Sequence, residues 1–167
     1  MTKVCIVTGA SRGMGYGIAK VLAKEEGATV YATARSKQAL DDLSASTKDS
    51  LGVIHPCVLD QADDGAVERF VLNVKAKEKQ IDLLVNSAYG GLIAMAPHFG
   101  KPFWERPVSV FDASMNIGLR SAFVMSKFVA PYMVENKSGL MVQVSSFGGY
   151  GYLFDVGYGV GKAGLAR

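Results

Sequence analysis

Val4-Cys5-Ile6-Val7-Thr8-Gly9-Ala10-Ser11-Arg12-Gly13-Met14-Gly15 is the stretch on which the fold turns. An apolar, β-branched run ends at Thr8, three glycines follow in quick succession, and an amphipathic run then begins. A buried strand, a glycine turn and a helix in that order are where a dinucleotide fingerprint has to sit. Gly9 permits the tight turn, while Gly13 and Gly15 let backbone approach a pyrophosphate and let helix pack on strand. Free N–H groups at the helix start present a partial positive charge to a phosphate. The stretch predicts a nucleotide site built by Gly9, Ser11, Arg12, Gly13, Met14 and Gly15.

Outward from there, short apolar runs alternate with longer amphipathic ones, the pattern of repeated β-α units around a parallel sheet. Strands are expected at Val4–Thr8, Thr29–Thr33, Val53–Val58, Asp82–Val85 and Leu140–Ser145, each apolar enough to be buried on both faces. Helical spacing covers Gly13–Glu26, Lys37–Ser46, Asp63–Glu78 and Ser109–Asn136, the last interrupted near Pro131. Ile18, Val21 and Leu22 form the apolar side of the first. A final helix starts near Tyr158, and residues 87–107, with three prolines and Trp104, read as one long loop. The expected fold is α/β, a Rossmann-like doubly wound parallel sheet forming a single domain over residues 1–167.

Composition narrows the function classes. With 49% hydrophobic and 20% charged residues the chain can bury a core. Eighteen Lys and Arg against fifteen Asp and Glu leave +3, too weak and dispersed for a nucleic-acid or membrane-surface partner. Cys5 and Cys57 sit in apolar runs and read as core thiols in a reducing compartment. Met1-Thr2-Lys3 leads directly into a strand, and no run of eighteen apolar residues occurs, so the expected location is cytoplasmic with no membrane segment. The nineteen glycines gather at residues 9–17, 90–100 and 148–164, where backbone-mediated chemistry is expected.

Two side chains later in the chain read as a surface pair when taken alone and, placed after a Ser-Ser strand end and downstream of a dinucleotide loop, as a proton-transfer pair. Tyr158 and Lys162 are four residues apart at a helix start and share a face. An ammonium near a phenol favours the phenolate and lowers a pKa that is about 10 when unperturbed, as a tyrosine exchanging a proton with an alcohol or carbonyl requires.

The spacing Thr8-Gly-x-x-x-Gly-x-Gly resembles that of the short-chain dehydrogenase/reductase family, and further segments match it. Asn86-Ser87-Ala88 is a partial match to the family's Asn-Asn-Ala-Gly, with Ser87 and Tyr89 departing from it. Asn116 in Asn-Ile-Gly-Leu-Arg matches the helix asparagine, Ser145-Ser146 ends the fifth strand, and Tyr158-Gly-Val-Gly-Lys162 matches Tyr-x-x-x-Lys. The resemblance implies hydride transfer between a nicotinamide and a small-molecule carbonyl or alcohol, with Asn116, Ser146, Tyr158 and Lys162 as the catalytic set. Ser145 and Ser146 both stand at acceptable separations from Tyr158, and the following Phe147-Gly148-Gly149 favours Ser146. The role implied for Asn116 is to hold a water linking Lys162 to solvent; the alternative is a polar residue satisfied within its helix.

The second strand ends Tyr31-Ala32-Thr33-Ala34-Arg35 with no acid to bond a ribose 2′-OH, whereas Arg35 and Arg12 suit a 2′-phosphate. NADP(H) is therefore expected over NAD(H). The resemblance implies that Asp60 contacts the adenine, a role compatible with its capping the next helix, and that Asn86, Ala88, Tyr158 and Lys162 also face the cofactor. His55 and His98 lack a second ligand at metal spacing, so no metal is expected. Tyr89, Phe99, Phe103 and Trp104 read either as loop packing or as one wall of a pocket for an apolar carbonyl.

Members of the family continue past the catalytic helix with two more strands and a substrate-covering loop, so the sheet is expected to be incomplete on its C-terminal side. The alternative function is a non-catalytic remnant that binds nucleotide weakly or pairs with a full-length subunit. Family members are commonly homo-oligomers.

Overall fold

Alternation along the first strand splits the core into two layers. In the computed structural model, which describes residues 2–167, β1 (Val4–Thr8) sends Val4 and Ile6 into one apolar cluster and Cys5 and Val7 into the other. Helices α1 (Gly13–Lys24) and α2 (Lys37–Ala45) cover the second face, and α3 (Asp64–Lys77) and α6 (Ser121–Glu135) the first. With β2 (Thr29–Ala34), β3 (Val53–Val58), β4 (Leu83–Asn86) and β5 (Leu140–Gln143), the strands form a parallel sheet in the order β3-β2-β1-β4-β5. This is the doubly wound, Rossmann-like arrangement. Its order reverses between β1 and β4, and a crevice opens beyond their carboxyl ends.

Several boundaries and faces differ from expectation. The strand expected to start at Asp82 starts at Leu83, because the Asp82 carboxylate is engaged by the backbone N–H of Val4 and the ammonium of Lys3. Burial on both faces holds for β1 but fails at both ends of the strand order, at β5, which ends at Gln143 short of Ser145 with Leu140 exposed, and at β3, whose outer side is exposed. Pro56 is tolerated there because an edge strand can forgo an N–H on its free side. The buried seam of α1 is Gly15, Ala19 and Ala23, whose small side chains bring the helix close to the sheet, while Val21 lies exposed.

The long helix expected over 109–136 is broken elsewhere. It divides into α5 (Val108–Ser114), a π-helical segment (Met115–Arg120) and α6, with Ile117 at φ −107°, ψ 70°. The Ile117 carbonyl turns out to accept the Gly90 N–H at 2.6 Å. Pro131 remains inside α6, whose buried Met125, Val129 and Met133 hold that helix against the sheet. Nor is 87–107 wholly loop, since α4 (Gly91–Met95) and two short 3₁₀ turns occupy part of it. The last helix, α7 (Val156–Leu165), begins two residues before Tyr158. Among the described residues no helix is long and apolar enough to cross a membrane.

Candidate active site

Thr8 ties the two halves of the crevice together. Its Oγ1 accepts hydrogen bonds from the backbone N–H groups of Ser87 and Ala88, at 3.0 and 3.1 Å. Gly9 then turns at φ +68°, and a Cβ on Gly15 would stand 2.5 Å from the Gly9 carbonyl oxygen, so Gly15 is the packing glycine. Gly13, at φ +57°, has open space where a side chain would project.

These elements border a cleft of about 690 Å³. Gly9, Ser11, Arg12, Gly13 and Met14 line one side of it, Arg35 and Asp60 another, and Ala88 a third. Neither Arg12 nor Arg35 pairs with a carboxylate among the described residues. A roomy cleft with a bare glycine turn and two free guanidinium groups fits a phosphate-rich dinucleotide. Asp60 does not cap α3: its Oδ1 accepts from Ala62 N, and Asp63 caps the helix by accepting from Ala66 N. Asn86 does not face the cleft either. Its amide donates to Ser126 Oγ at 3.0 Å and to Ala122 O at 3.4 Å, which fastens β4 to α6.

The chemistry-bearing groups gather behind one wall of this cleft. Asp155 caps α7 by accepting from the N–H groups of Gly157 and Tyr158, and the helix carries Tyr158 and Lys162 one turn apart. The Tyr158 phenol donates to Ser146 Oγ at 2.7 Å, and the Gly148 N–H donates to the same oxygen at 3.1 Å. With its lone pairs so used, the Ser146 hydroxyl proton is left to donate outward. Ser145 Oγ instead donates to the Lys162 carbonyl at 2.9 Å, so the two serines have separate partners. A Cβ on Gly148 would overlap the Tyr158 ring, which makes glycine necessary there.

Lys162 is 7% exposed, and its Nζ donates to Val144 O at 2.7 Å. Burial pushes its pKa below the ordinary lysine value. The ammonium lies 5.9 Å from the Tyr158 ring centre and 5.1 Å from that of Tyr89. Asn116 is exposed and makes no direct side-chain hydrogen bond to Lys162 among the described residues, and its carbonyl accepts the Ser121 N–H across the π-helical segment.

Tyr89 is the residue whose importance the motifs understated. It lines the cleft, its ring meets that of Tyr158 edge-on at 5.5 Å, and its hydroxyl lies 3.0 Å from Ser114 Oγ. Tyr89 thus links the cleft lining to Tyr158 and Lys162, neither of which lines the cleft itself. The signal was present in the sequence, as a tyrosine at a position where the resembling family has glycine. Of the other loop aromatics, Trp104 and Phe103 are exposed and pack on each other, and Phe99 meets Phe154. His55 stacks on Tyr31 at 4.9 Å.

Comparison with known proteins bears on the fold and the family. A family profile described as short chain dehydrogenase matches residues 3–167. The chain is 43% identical to dehydrogenase/reductase SDR family member 1 of Mus musculus, over 99% of this chain and 53% of that protein. It is similar to the crystal structure of a metagenomic short-chain oxidoreductase in complex with NADP, at 30% identity and a TM-score of 0.87, covering 98% of this chain and 72% of that one. It is also similar to NAD+-bound xylitol dehydrogenase, at 28% identity and a TM-score of 0.87, covering 98% and 60%. The chain spans about half the length of the mouse protein and of its Homo sapiens counterpart.

Proposed function

The chain belongs to the short-chain dehydrogenase family, and on that premise we propose that residues 1–167 form one nucleotide-binding domain of an NADP(H)-dependent oxidoreductase interconverting carbonyl and hydroxyl groups. The observation that carries this reading is the 2.7 Å bond from the Tyr158 phenol to Ser146 Oγ, set beside a glycine-lined cleft with two unpaired arginines. A nicotinamide dinucleotide, when bound, supplies or accepts the hydride.

The residues of the chain do the rest. The N–H groups from Gly9 to Gly15 hold the pyrophosphate, and Arg12 and Arg35 take the 2′-phosphate. Asp60 and Ala88 border the nucleotide where they line the cleft. Ser146 donates its free proton to the substrate oxygen and stabilises charge developing there. Tyr158 gives or takes the proton on that oxygen, with the buried Lys162 ammonium 5.9 Å from its ring centre. Phe99, Phe103 and Trp104 offer apolar surface on the loop side, consistent with an apolar carbonyl substrate.

Fluorescence titration of the chain with NADPH and with NADH, alongside a Gly13→Asp control, tests the first half. Saturable NADPH binding, tighter than NADH and lost in the control, is expected; equal affinity for the two would remove the NADP assignment. A panel of ketones and alcohols then tests turnover, with Tyr158→Phe expected to abolish it. Binding without turnover on the whole panel would leave a nucleotide-binding protein.

A further inference from the structure

Helix α7 is fastened at its start by a side chain from far earlier in the chain. Arg106 Nη1 donates to Asp155 Oδ2 at 2.8 Å and to Phe154 O at 3.0 Å, and its Nε donates to Lys101 O at 2.9 Å. The Arg106 and Asp155 side chains are only 7% and 6% exposed. Asp155 spends its other oxygen on the helix, accepting from Gly157 N at 2.7 Å and Tyr158 N at 3.3 Å. One carboxylate thus joins the guanidinium of the 99–107 loop to the first turn of the helix that carries Tyr158.

Between them lies a backbone conformation that does not hold itself. Phe154 has φ +65°, and the Asp155 N–H donates to Leu153 O at 2.8 Å, closing a three-residue turn of the positive-φ kind. A non-glycine residue stays in that region only where its surroundings over-determine it. Arg106 supplies the constraint by holding both the Phe154 carbonyl and the Asp155 carboxylate. The Phe154 ring, so aimed, meets Tyr158 at 5.5 Å and Phe99 at 6.1 Å.

We propose that Arg106 is a positioning residue for Tyr158: through its buried ion pair with Asp155 it sets the start of α7 and the Phe154 ring, and so where the phenol stands against Ser146. The proposal rests on Tyr158 as the proton-transfer group, but its test requires no turnover. Two variants of the full chain serve, Arg106→Met and the double variant Arg106→Met with Asp155→Ser. The second keeps a capping oxygen and strands no buried charge, so it reports even where the first does not fold.

In Arg106→Met, amide exchange at Gly157 and Tyr158 is expected to rise about tenfold or more while β1 and β4 stay protected. The setting of the phenol is read as the near-ultraviolet circular dichroism contributed by Tyr158, the difference between each protein and its Tyr158→Phe counterpart. That contribution is expected to be lost in both variants as the phenol leaves Ser146. An unchanged contribution, or exchange that rises evenly over the whole sheet, overturns the proposal. A lost contribution in a chain that transfers no hydride keeps the positioning role and removes the catalytic reading of Tyr158, so the two failures are distinguishable.

Discussion

Gly9 and Ala88 meet backbone to backbone: a Cβ on Gly9 would stand 2.7 Å from the Ala88 Cα. That contact closes the crevice between β1 and β4, and neither partner has a flexible side chain that can swing aside. Gly9→Ala therefore adds a clash to a φ of +68° and is expected to cost about 2 to 4 kcal/mol. Denaturant unfolding checks it, with Gly17→Ala as the control. Gly17 is helical with open space around it, so alanine there should be neutral or stabilising by up to about 1 kcal/mol.

Arg12 and Arg35 should separate the two cofactors. Arg35→Ala is expected to weaken NADPH binding about tenfold or more, the loss of a charged phosphate contact, while leaving NADH binding unchanged. The double Arg12→Ala, Arg35→Ala variant should lose the preference altogether. Competitive fluorescence titration measures both; parallel losses for NADPH and NADH would count against a 2′-phosphate contact.

Asp82 links stability to acid. Burial pushes its pKa up, but hydrogen bonds from Val4 N, Lys3 and Gln80 outweigh that and hold the carboxyl below its ordinary 3.8. Its stabilisation is thus present above the unfolded value and lost as pH falls through the lower native one. Asp82→Asn is expected to cost about 1 to 3 kcal/mol at pH 7, with the difference from wild type shrinking below pH 3.8. Urea unfolding across that range gives the profile.

Lys162 acts at the other end of the scale. Burial lowers its native pKa below the ordinary 10.5, so between those two values the unfolded chain binds more protons and stability rises with pH. The wild type should gain on Lys162→Met over that window, whatever the offset at neutral pH. Melting temperatures of both proteins from pH 7 upward test it; a constant difference would mean that the ammonium is not desolvated.

What could be read from residues alone was what is local. The glycine turn and the Tyr158–Lys162 pair are spelled out within a few consecutive positions, and helix geometry alone puts the latter on one face. The break at Ile117 was illegible because helical spacing runs through it, and the group that captures its carbonyl is the Gly90 N–H on another segment. The exposure of β3 was equally hidden, since an apolar run does not say whether its strand is central or at the edge. Asp63 rather than Asp60 caps α3 because the helix begins at Asp64, four residues after Asp60.

The strand order also has a consequence in time. Of the five strands of this sheet β1 is made before the others, yet it lies in the middle, and one of its two neighbours, β4, begins only at Leu83. Synthesis at roughly 5 to 20 residues per second leaves that flank of β1 bare for about 4 to 15 s after Thr8 is added. A nascent chain is thus exposed to misassembly on the side where the crevice later forms, and the Thr8 bonds to Ser87 and Ala88 become available only when that interval ends.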